Sequence, residues 1–431
     1  MELYKHLVKR EQDGNLIKVG LVGCGQMGSG LLHVTKGMKG IETYAVSDID
    51  VNRPLKELSL MGIDKSDIVI TEKLSEANDA IIKGKYVVTP DAMLLANMET
   101  LDNVIEATGN TEIGAKVAWT RVTNGLDMVM LNVETDVTVG LLLSTIAKKN
   151  GSVYTVAAGD EPAVCKMLYD FSRTMGFEVV CLGKGKNNPV NVYCTPEMCV
   201  EEAASKNMNP KMLCSFIDGT KTMVEMAAVS NATGLLPDVV GMHGPKIEIS
   251  ELVNTFIPEA DGGILSTSGC VDYSTGKVAP GVFAIVKSQD ERIISDMQFL
   301  SMGKGPYFMF YRPFHLCNIE TPIAVAEAAI YREITVVAQS MNSEVVSIAK
   351  RDLAPGDRLG TIGGNDFFNM ITKYSDAKAK HYVPMGVTPG SIVIKHIKKG
   401  ENITFDAIKP DPNSFVWKLR TIQDDMMILG R

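Results

Sequence analysis

Leu16-Ile17-Lys18-Val19-Gly20-Leu21-Val22-Gly23-Cys24-Gly25-Gln26-Met27-Gly28 decides the fold. It opens as an apolar, strand-like run and ends in a glycine turn. Met27, Leu31, Leu32, Thr35 and Met38 then recur at helical spacing. Gly37 and Gly40 stop that helix, and Thr43-Tyr44-Ala45-Val46-Ser47 reads as the next strand, which completes a βαβ unit. Gly23, Gly25 and Gly28 occupy the three positions of a G-x-G-x-x-G turn, directly after a strand and opening a helix. The first glycine permits the tight turn, the second lets backbone approach a pyrophosphate, and the third packs helix on strand. The helix N-terminus, with Gln26 and Met27 in its first turn, offers free N–H groups to phosphate. Asp48 closes the second strand about 20 residues beyond Gly28, where a carboxylate accepts a ribose hydroxyl and repels a 2′-phosphate. Asp48 therefore points to NAD over NADP, although Arg53 lies close enough in sequence to favour the phosphate.

Working outward, Tyr86-Val87-Val88, Val104-Ile105-Glu106-Ala107 and Met128-Val129-Met130-Leu131 are further strand-like runs, and a helix pattern starts near Thr138. Strands alternating with helices predict an α/β fold: an N-terminal Rossmann domain with a doubly wound parallel sheet, over residues 1–155. Glu106-Ala107-Thr108-Gly109-Asn110 falls at the carboxyl edge of that sheet, where ligands bind in such folds. Thr108 and Gly109 are small enough to let a nicotinamide ribose approach. Residues 156–340 read as an α+β catalytic and dimerisation domain. Its predicted helices are Ala163–Met175, Lys221–Ala232 and Ile323–Ala338, the last of which can pack back on the first domain. Its predicted strands are Glu178–Leu182 and Val282–Lys287. Residues 341–431 carry turn signals between short apolar runs and read as a small β-rich module.

The 431 residues hold 45% hydrophobic and 22% charged side chains, the balance of a globular chain with several cores. The net charge of −8 provides no basic field, so nucleic acid and anionic membrane are not expected as partners, and a small anionic substrate needs local cations. The polar N-terminus lacks a signal-peptide core, and no run approaches a membrane span. The eight cysteines are scattered, with no C-x-x-C pair, and read as reduced thiols in a cytoplasmic protein. Cys24, within the glycine turn, is expected only to fill space.

These motifs carry a resemblance. Gly23–Gly28, Glu106–Gly109 and Asn132-Val133-Glu134-Thr135-Asp136 look like the N-terminal domain of homoserine dehydrogenases. Gly159-Asp160-Glu161-Pro162, Gly183-Lys184-Gly185-Lys186 and Asp218-Gly219-Thr220-Lys221 resemble the 1-deoxy-D-xylulose 5-phosphate reductoisomerase-like (DRL) proteins. So do Gly303–Tyr307 and Tyr311-Arg312-Pro313-Phe314-His315-Leu316. Leu353–Asp357 and Lys399–Ile403 are similar to SAF modules. The resemblance implies an NAD(P)-dependent oxidoreductase acting on CH–OH groups. It would be a reducto- or oxidoisomerase of a small sugar acid or sugar phosphate, dimeric through the middle domain. Homoserine-type alcohol oxidation and a non-catalytic dinucleotide-binding protein are the alternatives.

Such chemistry needs a proton-transfer group, cations for the substrate's anionic end and exclusion of water. Lys184 and Lys186 face one side if their segment is extended, so both can address one anion, and paired ammonium groups depress a lysine pKa. Asp218, Lys221 and Glu225 fall one helical turn apart and read as a lysine oriented by carboxylates. Lys184, Lys186, Lys221 and Asp218 are thus the catalytic candidates. Arg312 suits bidentate capture of a carboxylate or phosphate, and His315 suits proton transfer. With Asn132, Glu134 and Asp160 they make up the substrate-binding candidates. Glu134, Asp136, Asp160 and Glu161 are the oxygen donors open to Mg²⁺ or Mn²⁺, and no His/Cys pattern suggests zinc.

Overall fold

Seven short apolar strands pair side by side in one direction: β1 (Ile17–Val22), β2 (Ile41–Ser47), β3 (Ile68–Ile70), β4 (Tyr86–Thr89), β5 (Asn103–Glu106), β6 (Asp127–Met130) and β7 (Tyr154–Val156). The computed structural model describes residues 2–206 and 208–429. The strand order is β3-β4-β2-β1-β5-β6-β7, and every pairing is parallel. A parallel sheet needs helices on both faces, so its central strands are apolar on both sides. Val19, Leu21, Val46, Ile105 and Val129 are accordingly buried with Leu31 and Leu32 of the helix Gln26–Gly37. The order reverses between β1 and β5, which places the glycine turn and the Glu106–Gly109 turn beside each other at the switch point. The doubly wound α/β fold expected from the sequence is present.

The chain divides into two units. The first is Met1–Asp160 with Leu316–Val337 and Lys418–Arg431; the second is Glu161–His315 with Ala338–Trp417. The predicted helix Ile323–Ala338 runs instead from Cys317 to Tyr331. Arg332 ends it in the left-handed conformation, and the backbone then extends so that Val336 O accepts from Val156 N of β7. The helix placed near Thr138 starts earlier, at Val133, because Asn132 caps it by accepting from Thr135 N at 3.2 Å. A final helix, Phe415–Ile428, was not apparent in the sequence.

In the second unit, β8 (Glu178–Gly185), β9 (Leu236–Pro237), β10 (Cys270–Ser274), β11 (Val282–Lys287) and β12 (Tyr307–Arg312) form a mixed sheet of order β12-β11-β8-β10-β9. The helix Glu161–Thr174 packs on β8 and β11, and beside it lies the helix Thr220–Thr233. The same unit holds two antiparallel ladders, β13 (Ser343–Ala349) with β14 (Phe367–Lys373) and β15 (Ile392–Val393) with β16 (Ile408–Lys409). They enclose a core that includes Leu353, Phe367, Val383 and Ile403. No described helix is long and apolar enough to cross a membrane.

One buried cation braces the first unit. Arg121 is fully buried and donates to the carbonyls of Met98, Leu101 and Asp127 at 2.9, 3.3 and 3.2 Å. Arg121→Met leaves these carbonyls without donors and is expected to cost about 3 kcal/mol. Denaturant unfolding at neutral pH measures that loss; an unchanged midpoint would contradict the bracing role.

Candidate active site

The glycine turn has the steric form a dinucleotide requires. Gly23 lies at φ +97°, and a Cβ there would stand 3.0 Å from the Ala107 backbone. A Cβ on Gly28 would fall 2.0 Å from Gly23 O, so helix and turn meet only through hydrogen. Gly25 is the opposite case: a Cβ on it meets nothing within 4 Å. Space is therefore open where a pyrophosphate belongs. Gln26 and Met27 are exposed in the first helical turn, and no side chain caps its N–H groups. Asp48 is buried at the end of β2. One carboxylate oxygen accepts from Cys24 N at 2.8 Å and the other from Asp50 N at 2.9 Å, with the Arg53 guanidinium 4.0 Å away. Cys24 is buried, and burial with the Asp48 charge pushes its thiol up to about 12, which fits a space-filling residue. The residues fit a dinucleotide coenzyme.

Beside the turn, Glu106 is fully buried. One of its carboxylate oxygens accepts from Thr108 N at 2.8 Å and from the Thr108 hydroxyl. Burial raises Glu106 to about 7 against the hydrogen bonds from Thr108 and Asn132. Gly109, at φ +66°, follows. Asn132 Nδ2 donates to Asn110 O at 3.0 Å, which ties the two strand-to-helix turns together. Asp136 accepts from the Tyr154 hydroxyl at 3.0 Å, and burial raises its pKa to about 7. Asn132 and Glu134 lie at the start of the helix Val133–Asn150, both buried, and Asp160 is buried at the end of the first unit's opening segment.

The second unit gathers the other charged residues around Lys184, on β8. Its ammonium group donates to both Glu161 and Glu225, and His315 Nε2 stands 3.3 Å from the same Glu161 oxygen. His315 Nδ1 is held 2.8 Å from Pro280 O. Lys184, Glu161 and Glu225 are all buried. Burial opposes the Lys184 charge, but the two carboxylates outweigh it and hold its pKa above the ordinary lysine value. Burial and the Glu161 charge raise Glu225. Lys186 differs. Its backbone continues extended, with Lys186 N on Ser274 O, and its ammonium donates to Phe216 O at 2.7 Å. Burial, then the Lys184 charge, lowers Lys186 to about 8. Pairing with Lys184 thus depresses one lysine, Lys186, while the two carboxylates hold Lys184 up.

Asp218 departs from the expected grouping with Lys221 and Glu225. It precedes the helix Thr220–Thr233, accepts from Thr220 N at 2.9 Å and from Lys350 Nζ at 2.8 Å, and has no exposed surface. Lys350, a residue sequence reading missed, takes this carboxylate because an ammonium buried to that depth needs a counter-charge. Lys221 is half-buried, near enough to Glu225 for their charges to interact. Arg312, at the end of β12, lies 4.5 Å over the Phe314 ring. The sequence offers Glu161 as a metal ligand and Glu225 as a partner of Lys221; no spacing rule joins either to Lys184.

Two of the four oxygen donors expected for a cation already have side-chain partners. Asp136 is engaged by Tyr154, and Glu161 by Lys184 and His315. Among the described residues, no three carboxylate or histidine donors lie within reach of one ion.

Residues 159–321 match the family described as oxidoreductase DRL, catalytic domain. The match is to an oxidoreductase. It spans the segment that holds Glu161, Lys184, Lys186, Glu225 and His315. No curated protein matches the chain. Among solved structures the chain is similar to a probable dehydrogenase from Thermotoga maritima, at 11% identity and TM-score 0.43, over 74% of this chain and 91% of that one. It is similar to DOX-P reductoisomerase with fosmidomycin and magnesium at 13% and 0.41, over 76% and 72%. A third is dipicolinate-bound dihydrodipicolinate reductase from Paenisporosarcina sp. TG-14, at 12% and 0.37, over 74% and 97%. These are loose likenesses, and no substrate or coenzyme passes from them to this chain.

Removing the central cation exposes the electrostatics of the cluster. Lys184→Met leaves Glu161 and Glu225 buried without their counter-ion, which is expected to cost about 3–5 kcal/mol at pH 7. Protonating one carboxyl relieves the repulsion, so the loss shrinks as the pH falls toward about 5. Unfolding of wild type and variant at both pH values measures this; a loss that does not depend on pH would contradict the arrangement.

Proposed function

We propose that the protein is a nicotinamide-dependent oxidoreductase that oxidises, or reductively isomerises, a small polyhydroxylated acid or sugar phosphate. The observation that carries this reading is the Lys184 ammonium fixed between Glu161 and Glu225, with His315 on the same carboxylate, within the stretch that matches an oxidoreductase catalytic domain. Gly23, Gly25 and Gly28 would cradle the pyrophosphate, and Asp48 would accept the ribose hydroxyls; Thr108 and Gly109 would lie along the nicotinamide ribose. A bound nicotinamide supplies hydride exchange with a carbinol carbon.

The chain's own residues handle charge and protons. Lys184 stays protonated through neutral pH, so it acts as a fixed cation for a developing alkoxide or enediolate oxygen. Lys186, lowered to about 8, holds a useful fraction of neutral amine just above neutrality and can take the hydroxyl proton. The neighbouring cation keeps that amine acidic, and Phe216 O orients it at 2.7 Å. His315 hands a proton to or from Glu161 at 3.3 Å, or holds the substrate's polar end. Arg312 supplies a forked cation for a carboxylate or phosphate. Two copies associating through the second unit, with the SAF-like β-rich module carried alongside, complete the proposal.

Asp48 sets coenzyme choice in this account. Wild type is expected to bind NADH at least tenfold more tightly than NADPH, and Asp48→Ala to erase or reverse that preference. Gly25→Ala keeps its unfolding temperature, because its Cβ meets no protein atom within 4 Å, but weakens coenzyme binding. Fluorescence titration and thermal unfolding measure both; NADPH preference in the wild type would overturn the role of Asp48.

The reaction itself is tested by screening aldonates, branched sugar acids and sugar phosphates for nicotinamide reduction. Turnover on one of them, with kcat for Lys186→Met down at least a hundredfold at unchanged coenzyme affinity, is expected. Homoserine oxidation with no activity on sugar derivatives would replace the substrate class. Tight NADH binding without turnover on any alcohol would leave only the coenzyme site.

A further inference from the structure

Three cysteines far from the glycine turn in sequence converge in the second unit. Cys194 precedes the single turn Pro196–Cys199, and Cys214 lies on the helix Pro210–Ile217. The three sulfur atoms lie within 4.8 Å of one another, with Cys194 Sγ and Cys199 Sγ 3.3 Å apart. All three side chains are buried in one small core with Ala203 and Leu213, and Met208 packs against it. We propose that Cys194, Cys199 and Cys214 bind a soft d¹⁰ metal ion of the zinc(II) type through three thiolates.

Geometry favours a metal over a disulfide. A zinc–thiolate bond of about 2.3 Å sets sulfur atoms on one tetrahedral ion about 3.8 Å apart, which lies between the 3.3 Å contact and the 4.8 Å limit of this cluster. A disulfide joins only two of the three thiols and leaves Cys214 and its surroundings unused. Those surroundings include a cation. Lys350 Nζ lies 3.5 Å from Cys214 Sγ, while also donating to Cys194 O at 2.7 Å, Gly364 O at 2.9 Å and Asp218 at 2.8 Å. An ammonium beside a sulfur stabilises the thiolate form, so Lys350 supports a thiolate at Cys214. Thiolate sulfur selects soft or borderline ions over Mg²⁺ or Ca²⁺.

Binding is a proton exchange without redox change. Three S–H bonds release their protons to solvent and three metal–sulfur bonds form. Because binding releases those protons, affinity rises with pH. The ion would join the turn at Cys194–Cys199 to the helix that ends at Asp218, and so would set the loop from which the helix of Lys221 and Glu225 departs.

The test uses the reduced full-length chain, purified without chelator and titrated with Co²⁺ and then Zn²⁺. The expected result is one metal ion per chain by elemental analysis. The Co²⁺ form should show tetrahedral visible bands with thiolate charge-transfer absorption, displaced by Zn²⁺. Cys199→Ser and Cys214→Ser should each weaken binding at least tenfold, while Cys317→Ser, placed in the first unit, leaves it unchanged. Should either serine variant fail to fold, the charge-transfer intensity of the wild-type Co²⁺ form still counts the thiolates and decides the matter. Wild-type protein that takes up no stoichiometric Co²⁺ or Zn²⁺ overturns the proposal. So does a spectrum without thiolate charge transfer, or a Cys194–Cys199 disulfide that forms in air whether or not metal is added.

Discussion

The second unit is organised by the burial of one ammonium group between two carboxylates. Taking Lys184 out of water costs several kcal/mol, and so does burying Glu161 or Glu225; only together, hydrogen-bonded, do they become tolerable. That requirement fixes much around them. Glu161 opens the helix that packs on β8 and β11, Glu225 sits mid-way along the helix Thr220–Thr233, and Lys184 is on β8 itself. Two helices and a strand are therefore registered on one another by charge as well as by apolar contact. The pairing also separates the two neighbouring lysines. One is locked as a cation and the other, two residues on, is pushed towards neutrality by burial and by its neighbour's charge. A cation and a weak base in close sequence are what alcohol oxidation with proton transfer requires.

The first unit works through absence of side chains. Gly28 lets the helix reach Gly23, and Gly25 leaves open space at the helix N-terminus. Asp48 holds the turn by accepting from Cys24 N and keeps lone pairs for a sugar. A second buried polar group beside the turn, Glu106, sits at the carboxyl end of β5 with its charge discouraged by burial. In the proposed reading the units divide the labour: backbone and dipole for a dinucleotide in one, fixed charge and a titrating amine in the other.

Local patterns made the first unit legible. The strands β1, β2, β4, β5 and β6 and the helix opening at Gln26 follow from apolar runs, turn glycines and helical spacing, and these signals act within a dozen residues. Elements whose limits depend on distant partners were harder. The helix Cys317–Tyr331 stops before Thr335 and Val336 because their backbone bonds to Thr155 and β7, which no local propensity encodes. Asp218 looked like a partner for Lys221 by spacing, but Lys350, more than a hundred residues on, takes it. Lys184 was picked out by its motif, yet its two carboxylates come from separate helices. The cysteines at 194, 199 and 214 looked scattered because folding, not spacing, brings them together.

The separation of the two lysine ionisations is the most direct measure of this account. Lysine labelled with ¹³C at Cε reports each ammonium by its pH-dependent shift, with signals assigned through Lys184→Arg and Lys186→Arg. The account predicts that Lys186 titrates near pH 8 while Lys184 shows no deprotonation until well above the ordinary lysine range. Lys184 losing its proton first, or the two titrating together at an unshifted value, would contradict it.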